Sequence, residues 1–237
     1  MGGTLLLRRR GAASTLVLGC ARHGLRLSRS AALRALDLCL PILMRARAEG
    51  LRFEVSDHLA AEFWTDYNRS LLEAAGIPPS LVPEIAQELI RMYWERPSWR
   101  PAARLGWLLD KLTAEGLRLG VISNGSSDVR QTLAEWGLVH RFEAVVISAE
   151  VGWQKPDAEI FGLAAQAMGL PTRSICHVGD DWENDCVGAL EAGCAPVWVS
   201  RMDHHDLKRK PVRRIGSLFH LAQLMRSERP DGPGSLL

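Results

Sequence analysis

The sequence predicts an α/β protein, a doubly wound parallel sheet with an inserted α-helical cap. Three observations carry that expectation. From Pro101 onward, short β-branched runs alternate with helical stretches, the pattern of βαβ units. Before it, residues 12 to about 95 hold apolar residues at three- and four-residue spacing, the period of helix. The 237 residues are also about 1.6 times a nominal ~150-residue domain, which leaves room for one sheet domain and an insert.

The helical stretch is written in Leu33, Leu36, Leu40 and Leu43, then Leu59, Phe63, Leu71 and Leu72, then Ile85, Leu89, Ile90 and Tyr93. Gly76 after Ala74-Ala75 is a helix stop, and Pro78-Pro79-Ser80 separates it from a next helix that Ser80 can cap. A helix over 102–115 then ends at Gly116, and Leu117–Ser123 reads as a strand. Helix 127–137, strand 144–147, helix 157–168, strand 174–178, helix 183–192 and strand 196–199 follow in alternation. The expected organisation is thus a segment 1–11, a helical cap 12–95, an α/β core 96–226 and a flexible Pro/Gly-rich tail 227–237.

Composition excludes several classes. Hydrophobic residues make up 47% of the chain, enough to fill a core, and charged residues 24%, so nothing marks disorder. A net charge of +2 gives no reason to expect a nucleic-acid partner. Five cysteines (Cys20, Cys39, Cys176, Cys186, Cys194) with no CxxC pair indicate neither a disulfide framework nor a zinc site, so a reducing, cytoplasmic setting is expected. The first 36 residues contain seven Arg and no acid, which imitates a transit or secretory leader. The apolar run after Arg10 is at the short end for a leader, however, and helical patterning continues through it. No stretch approaches the ~20 apolar residues that span a bilayer, so no membrane association is expected.

Ligands of such a sheet lie outside the carboxyl ends of its strands, so the polar residues there carry the functional question. Strand 117–123 runs into Ser123-Asn124-Gly125-Ser126-Ser127-Asp128, where a hydroxyl and backbone N–H groups before a helix form an anion site, or simply a helix cap. Strand 144–147 leads to Lys155-Pro156-Asp157, with Pro156 expected at the first helical position. Lys155 there is either a solvated side chain or a cation set over the sheet end. Strand 174–178 ends in Gly179-Asp180-Asp181-Trp182-Glu183-Asn184-Asp185, four acids within six positions. Like charges so close repel unless a cation compensates, and Mg²⁺ with its preference for hard oxygen ligands is the expected one. Capping explains one of those acids but not all.

These three sites, in this order and spacing, resemble the haloacid dehalogenase-like hydrolase superfamily. The resemblance covers residues 101–200 densely. It implies a Rossmann-like core in which the Ser123 hydroxyl binds the transferred phosphoryl group with Asn124 and Gly125. It further implies that Lys155 offsets charge, that Asp180 binds Mg²⁺, and that Asp185 supports Lys155 or the metal shell. The helical stretch then resembles the mobile cap that this family inserts after its first motif. The first motif itself departs from the family pattern Asp-x-Asp-Gly-Thr-Leu. The matching text is Met1-Gly2-Gly3-Thr4-Leu5, so residues 1–11 read as the remnant of that loop and Thr4 as a substrate-binding residue. Gly2 falls in the slot of the general acid/base, and the nucleophilic Asp would stand immediately before Met1. The expectation is that the chain begins too late and lacks a whole central strand.

The resemblance implies Mg²⁺-dependent hydrolysis of a small phosphorylated metabolite through an aspartyl-phosphate, by a monomer or homodimer, with this chain as given inactive. A metal-independent dehalogenase-like hydrolase and an inactive binding protein on the same fold are the alternatives. Trp153 and Trp182 stand beside motif residues and either line the pocket or fill the core. Asp203-His204-His205-Asp206 imitates a metal site, but adjacent residues point apart. The run from Lys208 to Arg214 reads as a solvated face.

Overall fold

The computed structural model describes residues 2–201 and 212–227. The His204-His205 pair, the segment 208–211 of the basic run and the tail beyond Ser227 lie outside the described residues. The chain forms two compact units, one of Met1–Leu7 with Pro101–Leu237 and one of Arg8–Arg100. Leu6–Arg8 (β1) and Trp99–Pro101 (β2), which form a two-stranded sheet, carry the chain from one to the other.

The unit Arg8–Arg100 is helical: Ala12–Arg22 (α1), Arg29–Ala48 (α2), Asp57–Ala74 (α3) and Val82–Trp94 (α4). Ser28 and Ser56 begin α2 and α3 by accepting the backbone N–H three residues on, as N-cap hydroxyls do. Gly76 follows the end of α3 at φ +75°. Ser80 does not cap α4. Leu81 precedes that helix, and Pro83 sits in its first turn, where a missing N–H costs nothing. The faces of the four helices meet around Leu16, Cys20, Ala35, Leu72 and Ile85.

The acid-free beginning is built into this unit. Arg8 lies over the rings of Tyr93 and Trp99, and Arg22 pairs with Glu88 at 2.5 Å and Glu95 at 3.0 Å.

The other unit is the α/β core. Its elements are Leu105–Ala114 (α5), Gly120–Ser123 (β3), Asp128–Glu135 (α6), Ala144–Ile147 (β4), Ser148–Val151 (α7), Ala158–Ala167 (α8), Cys176–Gly179 (β5), Gly188–Glu191 (α9), Ala195–Val199 (β6), Arg213–Ile215 (β7) and Leu221–Ser227 (α10). The pairings β3–β4, β5–β6 and β6–β7 are parallel. Val121 stands opposite Val145 in β3–β4, Val178 opposite Val197 in β5–β6, and Val199 opposite Ile215 in β6–β7. The buried apolar residues Val146, Ile160, Phe161 and Ala189 form the core between strand and helix.

Two expectations need correction. Pro156 precedes α8, whose cap is Asp157, so the proline shapes the turn before the helix. The expected helix 183–192 is a π-helical turn over Trp182–Val187 followed by α9. Such turns are rare and recur at functional sites. The parallel strands are also paired in two blocks, β3–β4 and β5–β6–β7, with no ladder between them among the described residues.

Candidate active site

The carboxyl ends of β3 and β5 bring the three sequence motifs together within the α/β unit. Ser123 closes β3 and is 2% exposed, its hydroxyl donating to the Asn124 carbonyl at 3.2 Å. The Asn124 amide clamps the next motif, since its Nδ2 donates to the Lys155 carbonyl at 2.9 Å and its Oδ1 accepts from the Lys155 N–H at 2.8 Å. The Gly125 N–H donates to the Ser148 hydroxyl at 2.9 Å. That bond ties the loop to α7.

Lys155 and Asp185 form a buried ion pair, Nζ to Oδ1 2.5 Å, with each residue about one-twentieth exposed. The same oxygen contacts His177 Nε2 at 3.2 Å, and Oδ2 accepts the Asp181 N–H at 3.0 Å. Burial alone would push the Asp185 carboxyl up. The Lys155 ammonium, with the His177 and Lys155 hydrogen bonds, outweighs it and holds the group well below the usual carboxylate range. Burial pushes the His177 imidazole down, which favours its neutral form. The Cβ of any side chain at Gly179 would stand 2.1 Å from Asp185 Cγ, so this approach requires glycine.

Asp180 lies beside the amino-terminal loop. Thr4 Oγ1 donates to Asp180 Oδ1 at 2.6 Å. Gly3 has φ +86°, and a Cβ there would meet Asp180 Oδ2 at 2.0 Å. The Thr4 hydroxyl thus faces the Asp180 carboxyl. The Asp180 carboxyl is raised by the surrounding protein and by the charge of Asp185, against the Thr4 hydrogen bond. Of the remaining acids, Asp181 accepts the Asn184 N–H at 3.1 Å as a cap, and Glu183 is exposed.

Among the described residues no three His, Cys, Asp or Glu side chains cluster as a metal cage. Mg²⁺ does not need one, because it takes one or two carboxylates with substrate oxygens and water. Asp180 fits that requirement, as a carboxylate with a solvent-facing side whose raised pKa a cation would relieve. Asp185 is engaged by Lys155, His177 and the Asp181 N–H.

Three contacts have no motif signal. His177 and Ser148 look like ordinary members of apolar runs, and Trp198 Nε1 donates to the Asp180 carbonyl at 3.1 Å from a strand remote in sequence. The one clue was a lone imidazole in a strand buried on both faces, where a polar side chain needs a partner. Trp182 packs edge-on against Trp198, while Trp153 packs on the core around Phe161.

The fold is a Rossmann-like α/β core with a hydroxyl, a buried lysine and a group of acids gathered near the carboxyl ends of its strands. The chain belongs to the haloacid dehalogenase-like hydrolase family, whose model matches residues 48–199, more than half of its length. It is 36% identical to a phosphoserine phosphatase of Thermus thermophilus over 152 residues, 63% of this chain and 60% of that protein. It is 40% identical to a glyceraldehyde 3-phosphate phosphatase of Methanothermobacter thermautotrophicus over 134 residues, 53% and 59% of the two chains. The chain thus spans about three-fifths of the length of these curated relatives. Among solved structures, the Bacillus subtilis hydrolase YfnB, crystallised with magnesium, aligns at TM-score 0.72 and 20% identity over 90% of this chain and 91% of that one. An L-2-haloacid dehalogenase of Xanthobacter autotrophicus aligns at TM-score 0.63 and 19% identity over 96% of each. These likenesses establish the fold.

Proposed function

We propose that the protein is a Mg²⁺-dependent phosphomonoester hydrolase acting through an aspartyl-phosphate, on a small phosphorylated metabolite in the cytoplasm, as a monomer or homodimer. The observation that carries this reading is the joining of Asn124, Lys155 and Asp185 by hydrogen bonds of 2.5–2.9 Å, with Ser123 beside Asn124 at the end of β3 and Asp180 just after β5. The phosphatase relatives favour it over other chemistries of the fold.

In this reading the carboxylate nucleophile is contributed by the residue preceding Met1 in a longer chain. Gly3 and Thr4 lie against Asp180, which supports this reading. The carboxylate attacks phosphorus, the ester oxygen leaves with the electron pair, and water then hydrolyses the acyl phosphate. The Ser123 hydroxyl donates to a phosphoryl oxygen, and the Lys155 ammonium, fixed by Asp185 and Asn124, balances the charge of nucleophile and phosphate. Asp180 would hold Mg²⁺, which when bound neutralises phosphoryl charge. Gly2 offers no proton to the leaving oxygen, a loss of roughly 10²–10⁴ in rate for an alkoxide leaving group. The helical unit, by its place in the chain, is proposed as the cap that selects substrate.

The test is p-nitrophenyl phosphate turnover by the chain as given and by a form with Asp placed before Met1 on a β-branched strand. The extended form should be Mg²⁺-dependent and the given chain inactive. Equal turnover by both would overturn the nucleophile assignment. Halide release from a 2-haloacid without Mg²⁺ would favour the dehalogenase reading, which Gly2 suits because that chemistry needs no second Asp.

A further inference from the structure

We infer that the outer face of α2 is a docking surface for an anionic lipid layer, on which the helix lies flat. Nine large apolar side chains are exposed among the described residues, and five of them, Leu33, Leu38, Leu40, Ile42 and Met44, stand on this one helix. Leu38 is 69% exposed, Met44 61% and Leu40 50%. Scattered apolar exposures are ordinary on a protein surface, whereas a contiguous patch marks an interaction site.

Helix geometry gathers these side chains. Leu33, Asp37, Leu40 and Met44 recur at i, i+4, i+7 and i+11 and form one row along the helix. Arg34, Leu38, Pro41 and Arg45 form the next row at the same spacing. All eight are exposed, while Ala32, Ala35 and Cys39 face the opposite way into the core of the helical unit.

Charge decides what this face meets. Exposed Arg29 and Arg34 frame the patch toward the amino end of α2, and exposed Arg45 and Arg47 toward its carboxyl end, with Asp37 the one acid inside it. Between Arg26 and Arg52 the chain holds six arginines and two acids, Asp37 and Glu49. A second copy of the chain is a poor match. Two α2 helices laid antiparallel would set Arg29 and Arg34 of one against Arg45 and Arg47 of the other, and laid parallel would set each arginine against itself, so like charges meet either way.

A lipid layer offers acyl carbon and anionic headgroups side by side over a whole plane. The helix is 20 residues, or ~30 Å, long, and can turn Leu33, Leu40 and Met44 to the acyl boundary while its arginines hold phosphate oxygens. Arginine suits both environments, with an apolar stem and a forked cationic head. No helix among the described residues is long and apolar enough to cross a membrane. A helix lying in the interface does not cross, so the expectation of no membrane association, drawn from span length, does not extend to this mode.

The inference rests on the helical unit alone and does not need the phosphatase reading. It is tested by flotation of the full chain with vesicles of phosphatidylcholine alone and of phosphatidylcholine and phosphatidylglycerol in a two-to-one ratio. The anionic vesicles should bind at least tenfold tighter than the neutral ones, and binding should weaken as salt is raised. Leu40→Glu combined with Met44→Glu should lower the affinity at least tenfold. Asp37→Asn should raise it several-fold, because it removes the one repelling charge within the patch. All three positions are exposed, and thermal melting verifies that each variant keeps its fold.

No binding to anionic vesicles, equal binding to neutral ones, an affinity untouched by the double Glu change, or no gain from Asp37→Asn would each overturn the inference. Dimerisation of the chain that the double Glu change abolishes would overturn it in favour of a second copy. Binding to soluble polyglutamate as tight as to the vesicles would overturn it in favour of an acidic protein partner.

Discussion

At the residue scale the site is governed by one buried charge pair. Lys155 and Asp185 are both almost fully covered, so each depends on the other for compensation. Removing one partner of such a pair leaves a bare charge in the interior, at a cost of roughly 3–5 kcal/mol. Lys155→Ala should lower unfolding free energy by that order in urea titration, more than truncation of any exposed lysine. The same pair sets a pH dependence. The folded Asp185 pKa lies below its unfolded value, so its contribution is fully present above about pH 4 and is lost as pH falls through the lower folded value. Acid unfolding followed by circular dichroism should therefore begin at higher pH in Asp185→Asn, whose Lys155 is unpaired, with the wild-type chain more stable at neutral pH.

His177 is a finer test of the same geometry. Replacing it with Phe removes a donor from Asp185 while filling the space against Phe161, and should cost about 1–3 kcal/mol. His177→Asn, which retains an N–H, should lose less by the same melts.

At the element scale, α2 holds a proline in its interior. Pro41 cannot donate to the carbonyl four residues before it, and an interior proline costs a helix about 3 kcal/mol relative to Ala. Pro41→Ala should raise the melting temperature of the full chain; an unchanged or lower value would mean that the packing around Ala35 and Cys39 is fitted to the proline. What the sequence shows of these elements divides along physical lines. Ser123 and Asp180 stood out because each closes or follows a β-branched run, where chain direction puts a residue at the carboxyl edge, whereas Lys155 lies beyond α7 and stood out by the Lys-Pro-Asp text before a helix. Gly76 was legible because a positive φ after a helix selects glycine. The start of α4 was not, since Ser80 and Leu81 compete for the cap and Pro83 decides. The π-helical turn at Trp182–Val187 was hidden as well. Its extra residue places Asp185 on Lys155 through tertiary contacts that local propensity does not encode, which is also why Asp185 read equally well as a metal ligand.

At the scale of the whole molecule, the arginines of the acid-free beginning find partners far along the chain, Arg8 on the Tyr93 ring and Arg22 between Glu88 and Glu95. The sheet shows the same. Its strands were legible one by one, but the division into two blocks belongs to no single strand and emerges only from their pairing.

The central claim, that these strand ends form a Mg²⁺-dependent phosphatase centre, is tested most directly by p-nitrophenyl phosphate hydrolysis in the chain extended by an apolar strand ending in Asp before Met1. The account predicts turnover that requires Mg²⁺, vanishes with Asn in place of the added Asp, and falls at least a hundredfold in Lys155→Ala when the variant remains folded. A folded, extended protein with no turnover, or one whose activity ignores Mg²⁺ and Lys155, would contradict it.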